Sequence, residues 1–106
     1  MTGQAEYRAL ISAVSQASKC QVTTTEAHGY STGQNVRISD VGNMMPTPRG
    51  MVQINGNEYL IEVDSTTTFL LKDPITQEYI DSTGYEAYVS GGRTKLENTT
   101  FLWVYP

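Results

Sequence analysis

"VTTTEAHGYSTGQNVRIS", residues 22–39, is short of charge and rich in threonine, and it holds the chain's one histidine, His28, two residues from Glu26 and beside Gly29. His28 is either part of a reactive site, with Glu26 or Ser31 as helpers, or a corner between two β-strands. The flanks favour the corner. "CQVTTT" (20–25) and "QNVRIS" (34–39) alternate, the second placing Val36 and Ile38 on one face and Arg37 on the other, which is the period of a half-buried strand. A general base needs a nucleophile and an orienting acid held in a defined geometry, which adjacency in sequence does not supply. The expectation is an imidazole bonded to a backbone carbonyl, with Gly29 or Gly33 at a positive φ.

The neighbouring segments extend the β pattern. Fourteen threonines, seven tyrosines and nine glycines in 106 residues suit short strands broken by tight turns. "INGNEYLIEVD" carries Asn55-Gly56, the dipeptide of a type I′ hairpin, and then sets Tyr59, Ile61 and Val63 on one face against Glu58, Glu62 and Asp64. "TFLLK" (68–72) reads as the return strand. Four or five strands in about 55 residues is the spacing of a small barrel or sandwich. The fold class expected is all-β, with short antiparallel strands, tight Gly/Asn turns (His28, Gly29, Gly33, Asn55, Gly56, Gly84) and a C-terminal apolar strand. Only "AEYRALISAVSQA" resists, because Tyr7, Leu10, Ile11 and Val14 fall at helical spacing.

Order and spacing together resemble a family. "ISAVSQASKCQVTTTEAHGYSTGQNVRISDVGNM", "INGNEYLIEVDSTTTFLL" and "DSTGYEAYVSGG" resemble the small β-module of tailed-bacteriophage proteins that is likened to the first catalytic cysteine half-domain of ubiquitin-activating enzymes. The likeness runs over residues 11–92 and implies a strand, not a helix, at 10–15. Gln34 stands where the family usually has Asp, Tyr30 where it usually has Leu, and "MPTPRGMVQ" (45–53) lengthens one loop. The division implied is an N-terminal extension (1–9), the module (10–92) and a C-terminal strand (93–106). Despite the family's title, the half-domain it resembles does not supply a catalytic cysteine. Cys20, in a Val/Thr-rich strand with no cation beside it, reads as a quiet thiol.

Composition removes other classes. A net charge of −4, with the seven bases spread singly, offers no track for a phosphate backbone and no polybasic anchor, so neither nucleic acid nor membrane is an expected partner. A single cysteine excludes an internal disulfide, and no zinc ligand set accompanies it. "DSTTT" lacks the ligand pattern of a calcium loop, and "DSTGYEAYVSGG" lacks the Gly-Lys-Ser/Thr end of a phosphate loop. "MTGQAEYRAL" does not have the form of a signal peptide. No cofactor and no metal are expected.

Two segments are candidates for contact with partners. Met45, Arg49 and Met51 belong to the lengthened loop, read as exposed and adaptable. Phe101, Trp103 and Tyr105 project to one face of "FLWVYP", Leu102 and Val104 to the other. Such a strand needs cover on both faces: either it closes the barrel or it docks on a neighbour, with closure favoured and the aromatic face left for a partner. The resemblance implies a non-enzymatic structural protein of a tailed-phage virion (tail, neck, baseplate or attachment module), made in the host cytoplasm. It would contact other virion proteins in symmetry-related copies. The alternative is a receptor- or glycan-binding module on a tail fibre, using Tyr79, Tyr85 and Tyr88. A ubiquitin-transfer enzyme fragment fits poorly, without an adenylation motif or reactive cysteine.

Overall fold

The computed structural model describes residues 8–42 and 50–97. Six strands, β1 (Arg8–Val14), β2 (Gln21–Thr24), β3 (Asn35–Val41), β4 (Asn57–Val63), β5 (Thr68–Lys72) and β6 (Gly91–Leu96), form a closed antiparallel barrel in the order β1-β2-β5-β4-β3-β6. A single 3-10 turn, Val52–Ile54, precedes β4.

Alternation fills the barrel. Val22, Val36, Ile38, Ile61, Phe69 and Leu71 point inward and are at most 1% exposed, each stabilising the fold by roughly 1.5–3 kcal/mol if fully buried. β1 explains its own misleading pattern. Its register on β2 shifts between Ile11 and Ala13, a β-bulge that inserts one extra residue. Ile11 and Val14 therefore both face inward although they are three residues apart. In a regular strand they would face opposite sides; the bulge imitates helical spacing.

The strands leave two poles, and a crossover closes each. At the first, residues 25–34 pass from β2 to β3, which are not neighbours, and are pinned on the way: His28 N–H donates to Thr66 O (3.0 Å), Gly33 N–H to Ile61 O (2.9 Å) and Val63 N–H to Thr32 Oγ1 (2.8 Å). At the second, residues 73–90 carry the chain from β5 to β6, with Ile80 N–H donating to Leu71 O (2.9 Å) and Cys20 N–H to Ile80 O (2.9 Å). Met51 and Ile54, both fully buried, belong to the same continuous core.

Several expected boundaries move. The cuts at 9/10 and 92/93 fall inside β1 and β6, and β6 lies between β1 and β3, so residues 91–96 complete the barrel. Asn55-Gly56 does not make a type I′ hairpin. Asn55 has φ −71° and ψ 147° and Gly56 has φ 79°, the pattern of a type II turn, which needs the positive φ only at its second central residue. Asn55 has another task. Its amide accepts from Val41 N–H (2.8 Å) and donates to Val41 O (2.9 Å), standing in for a strand partner at the end of β3.

Candidate functional site

Sequence singles out two potentially reactive side chains, and the strands set them at opposite poles: Cys20 just before β2 and His28 just after it. His28 is 1% exposed. Its Nδ1 accepts the Tyr30 N–H at 2.9 Å, and its Nε2 lies 2.8 Å from Ser65 O and 3.3 Å from Thr68 O. The two carbonyls can only accept, so Nε2 carries the proton and Nδ1 is the acceptor. Tyr30 stacks on the ring at 5.4 Å between centroids and Phe69 meets it edge-on at 5.3 Å. Both nitrogens are thereby committed to backbone. The corner glycines serve the same turn, Gly29 at φ 72° and Gly33 at φ 97°, whereas Gly84 has no positive φ.

An open concavity of about 430 Å³ lies at this pole, between the stretch Ala27 to Tyr30 and the β4–β5 turn at Val63, Ser65 and Thr66. His28 and Tyr30 are its titratable lining residues, and the Tyr30 hydroxyl is bonded to Thr94 Oγ1. With both already bonded, the concavity is an apolar hollow without a reactive group.

Cys20 is fully buried, and its thiol donates only a long contact to Ser15 O (3.8 Å). Removal from water pushes the thiol pKa up from its ordinary 9.0, against a smaller lowering by Ser82. A neutral, enclosed thiol is a poor nucleophile. Ser82, also fully buried, works on backbone: its hydroxyl donates to Ser15 O (2.6 Å) and accepts from Ala17 N–H (3.0 Å), tying the 73–90 crossover to the β1–β2 turn.

Met51 corrects an expectation. Its place in the sequence groups it with Met45 and Arg49 as exposed contact surface, but it is fully buried at the second pole. Gly50, at φ 76°, lies so close to Ala87 and Val89 that a Cβ there would meet Ala87 O at 2.7 Å. The segment from Gly50 to Ile54 is a core element, drawn in by the apolar pair Met51 and Ile54. Met45, Arg49, Phe101, Trp103 and Tyr105 lie outside the described residues.

The tyrosines proposed for glycan stacking are engaged elsewhere. Tyr85 and Tyr88 pack against the core, and the Tyr88 hydroxyl bonds Gly91 O at 2.7 Å. Tyr79 sits in an ionic cluster: its hydroxyl donates to Glu62 at 2.6 Å, Lys72 lies 3.3 Å from the same carboxylate, and the ammonium groups of Lys19 and Lys72 stand 4.6 and 4.9 Å from the ring centroid. The Tyr79 hydroxyl, with Lys72, holds the Glu62 carboxyl below its usual range. Residues 19, 62, 72 and 79 form no pattern in sequence; only the β4–β5 pairing and the isolated bridge between Lys72 and Tyr79 assemble them.

Among the described residues no group of three or more His, Cys, Asp or Glu could hold a metal ion, and no helix is long and apolar enough to cross a membrane. What the geometry offers is surface: a closed barrel has no unpaired strand edge, so a partner must meet side-chain faces, poles or flanking segments. No family model matches the chain, and comparison with curated proteins gives no match.

Proposed function

We propose that this chain is a non-enzymatic structural component of a tailed-phage particle, in the tail, neck or baseplate or as an attachment module there, and that it acts through contacts with other virion proteins. The observation that carries this reading is the commitment of His28 and Cys20 to the frame. One is held by three backbone atoms and two rings, the other is enclosed at the far pole. The phage context rests on the family resemblance, whose motifs occupy the barrel's strands and corners: the Val-Thr-Thr strand is β2, the His-Gly corner opens the first crossover and the Thr-Phe strand is β5. A filled and edgeless barrel suits a part that must keep its shape while its outer faces bind.

Mass spectrometry of purified particles tests the proposal. The chain is expected at a copy number that is a multiple of the particle's local symmetry. Its absence from intact particles overturns the reading.

A further inference from the structure

Asn55-Gly56 carries a reactivity of its own. The backbone nitrogen of the residue after an asparagine can attack the side-chain amide carbon, and glycine allows this most readily because it has no side chain in the way and a permissive backbone. The five asparagines are followed by Val36, Met44, Gly56, Glu58 and Thr99, so Asn55 alone has a glycine behind it. In the reaction a bond forms between Gly56 N and Asn55 Cγ, the Cγ–Nδ2 bond breaks, and the side-chain nitrogen leaves as ammonia with the Gly56 amide proton. Water then opens the five-membered imide at either carbonyl. The product is aspartate or, where the main chain is rerouted through the side chain, isoaspartate.

The fold commits both reacting groups elsewhere. Gly56 N–H donates to Ile38 O at 2.7 Å, and the Asn55 amide is clamped on Val41 N–H and Val41 O at 2.8 and 2.9 Å. Around them Asn55 N–H donates to Val52 O (3.0 Å), and the Arg37 guanidinium donates to Gly56 O (2.7 Å). Gly56 is exposed and Asn55 half-buried, so water reaches the dipeptide. Bonding, not burial, therefore keeps the pair from reacting. For the attack to occur the amide must leave Val41 and the Gly56 N–H must leave Ile38 O, which detaches the end of β3 from the turn before β4.

We infer that Asn55-Gly56 is a conformation-gated deamidation site, shut in the closed barrel and converted when the corner between the end of β3 and the start of β4 opens. The site is independent of what the barrel binds. Conversion is not undone when the corner closes again. Aspartate sets a carboxylate oxygen where Nδ2 donated to Val41 O, so two acceptors face each other and a charge is added. Isoaspartate adds a methylene to the main chain and draws Gly56 N away from Ile38 O. Val41 is fully buried and pairs with Gly91 of β6, so the lost clamp is felt at the β3–β6 seam. A chain that has opened is thereby marked, and it closes less firmly afterwards.

The test uses the full wild-type chain, incubated at mildly alkaline pH both native and in guanidinium, with conversion at each asparagine followed by peptide mapping and mass spectrometry. In guanidinium Asn55 is expected to convert ahead of the other asparagines. In the native chain its conversion should be at least about tenfold slower, because the bonds to Val41 and Ile38 must open first. Equal rates in the two states, or another asparagine leading in guanidinium, overturn the inference. Asn55→Asp, which reproduces the first product, should unfold at a lower denaturant concentration than wild type. A variant that unfolds at the wild-type midpoint overturns the weakening of the corner by conversion, and the comparison of rates needs no variant to fold.

Discussion

Tyr30 and Thr94 meet hydroxyl to hydroxyl at 2.7 Å in the buried interior, one from the first crossover and one from β6. Thr94 Oγ1 also donates to Ala9 O at 3.1 Å, so its proton is spent and Tyr30 is the donor of the pair. The crossover is thus fastened to β6 and, through Thr94, to β1. Tyr30→Phe should cost about 1–2 kcal/mol, the range for losing a buried hydrogen bond. Thr94→Val should cost a similar amount, and the double variant clearly less than the sum, because both remove the same bond. Urea unfolding of the four proteins measures this coupling.

His28→Ala removes a ring that two aromatic side chains touch and leaves the Tyr30 N–H without its acceptor. Cavity and unsatisfied donor together predict a loss of about 2–4 kcal/mol. His28→Gln, which keeps polar atoms, should lose less. Both variants, where folded, are expected to enter particles at normal copy number; a folded variant excluded from particles would assign His28 a part in binding.

Cys20 should resist thiol reagents in the native protein at neutral pH and react at once in denaturant. Its raised pKa also fixes a sign for stability. The unfolded thiol ionises from about its ordinary 9.0 upward while the folded thiol holds its proton, so folding is favoured fully below pH 9 and progressively less above it. The Tyr59 hydroxyl, raised from 10.0 chiefly by burial, acts in the same direction at slightly higher pH. Denaturation midpoints should therefore fall between pH 8 and 11. Cys20→Ser should flatten the lower part of that fall.

Two glycines with positive φ should respond differently to alanine. Gly33 opens on empty space, so Gly33→Ala carries only backbone strain, about 1–2 kcal/mol. Gly50→Ala adds a Cβ 2.7 Å from Ala87 O and 2.8 Å from Val89 N, backbone that cannot turn aside. Its loss should exceed that of Gly33→Ala by at least about 1 kcal/mol in thermal unfolding.

Met51→Ala tests the revised reading of the long loop. A buried methionine truncated in a packed core costs about 2–5 kcal/mol, whereas a methionine used only for partner contact costs the isolated chain almost nothing. Unfolding of the purified protein distinguishes the two.

Much of the barrel was legible because alternation survives burial. Val36 and Ile38 against Arg37, or Tyr59 and Ile61 against Glu58 and Glu62, announce both strand and face, and "TFLLK" is β5 residue for residue. The ambiguities and departures have local causes. The β1 bulge put Ile11 and Val14 at a helical interval, although the segment is the strand that the family likeness implied. Asn55-Gly56 obeyed turn chemistry but entered a different turn, because the Asn55 amide was needed by Val41. Met51 looked exposed beside prolines, and only the packing of a pole shows it to be core. The ion pairs were hidden by register: Arg37 meets Glu58 and Glu97, and Arg93 meets Asp40, from strands far apart in sequence.

The adjacency of β1 and β6 has a mechanical meaning. They are antiparallel neighbours, so the start of β1 at Arg8 and the end of β6 at Leu96 lie at the same pole. Tension applied between those two points opens the ladder one pairing at a time, Arg8 from Lys95, then Ala9 from Thr94, as a zip opens, instead of loading every hydrogen bond at once. Such a joint yields under small forces. By this geometry the β1–β6 ladder resists a pull applied at Arg8 and Leu96 less than a pull along its strands, which would load its hydrogen bonds together.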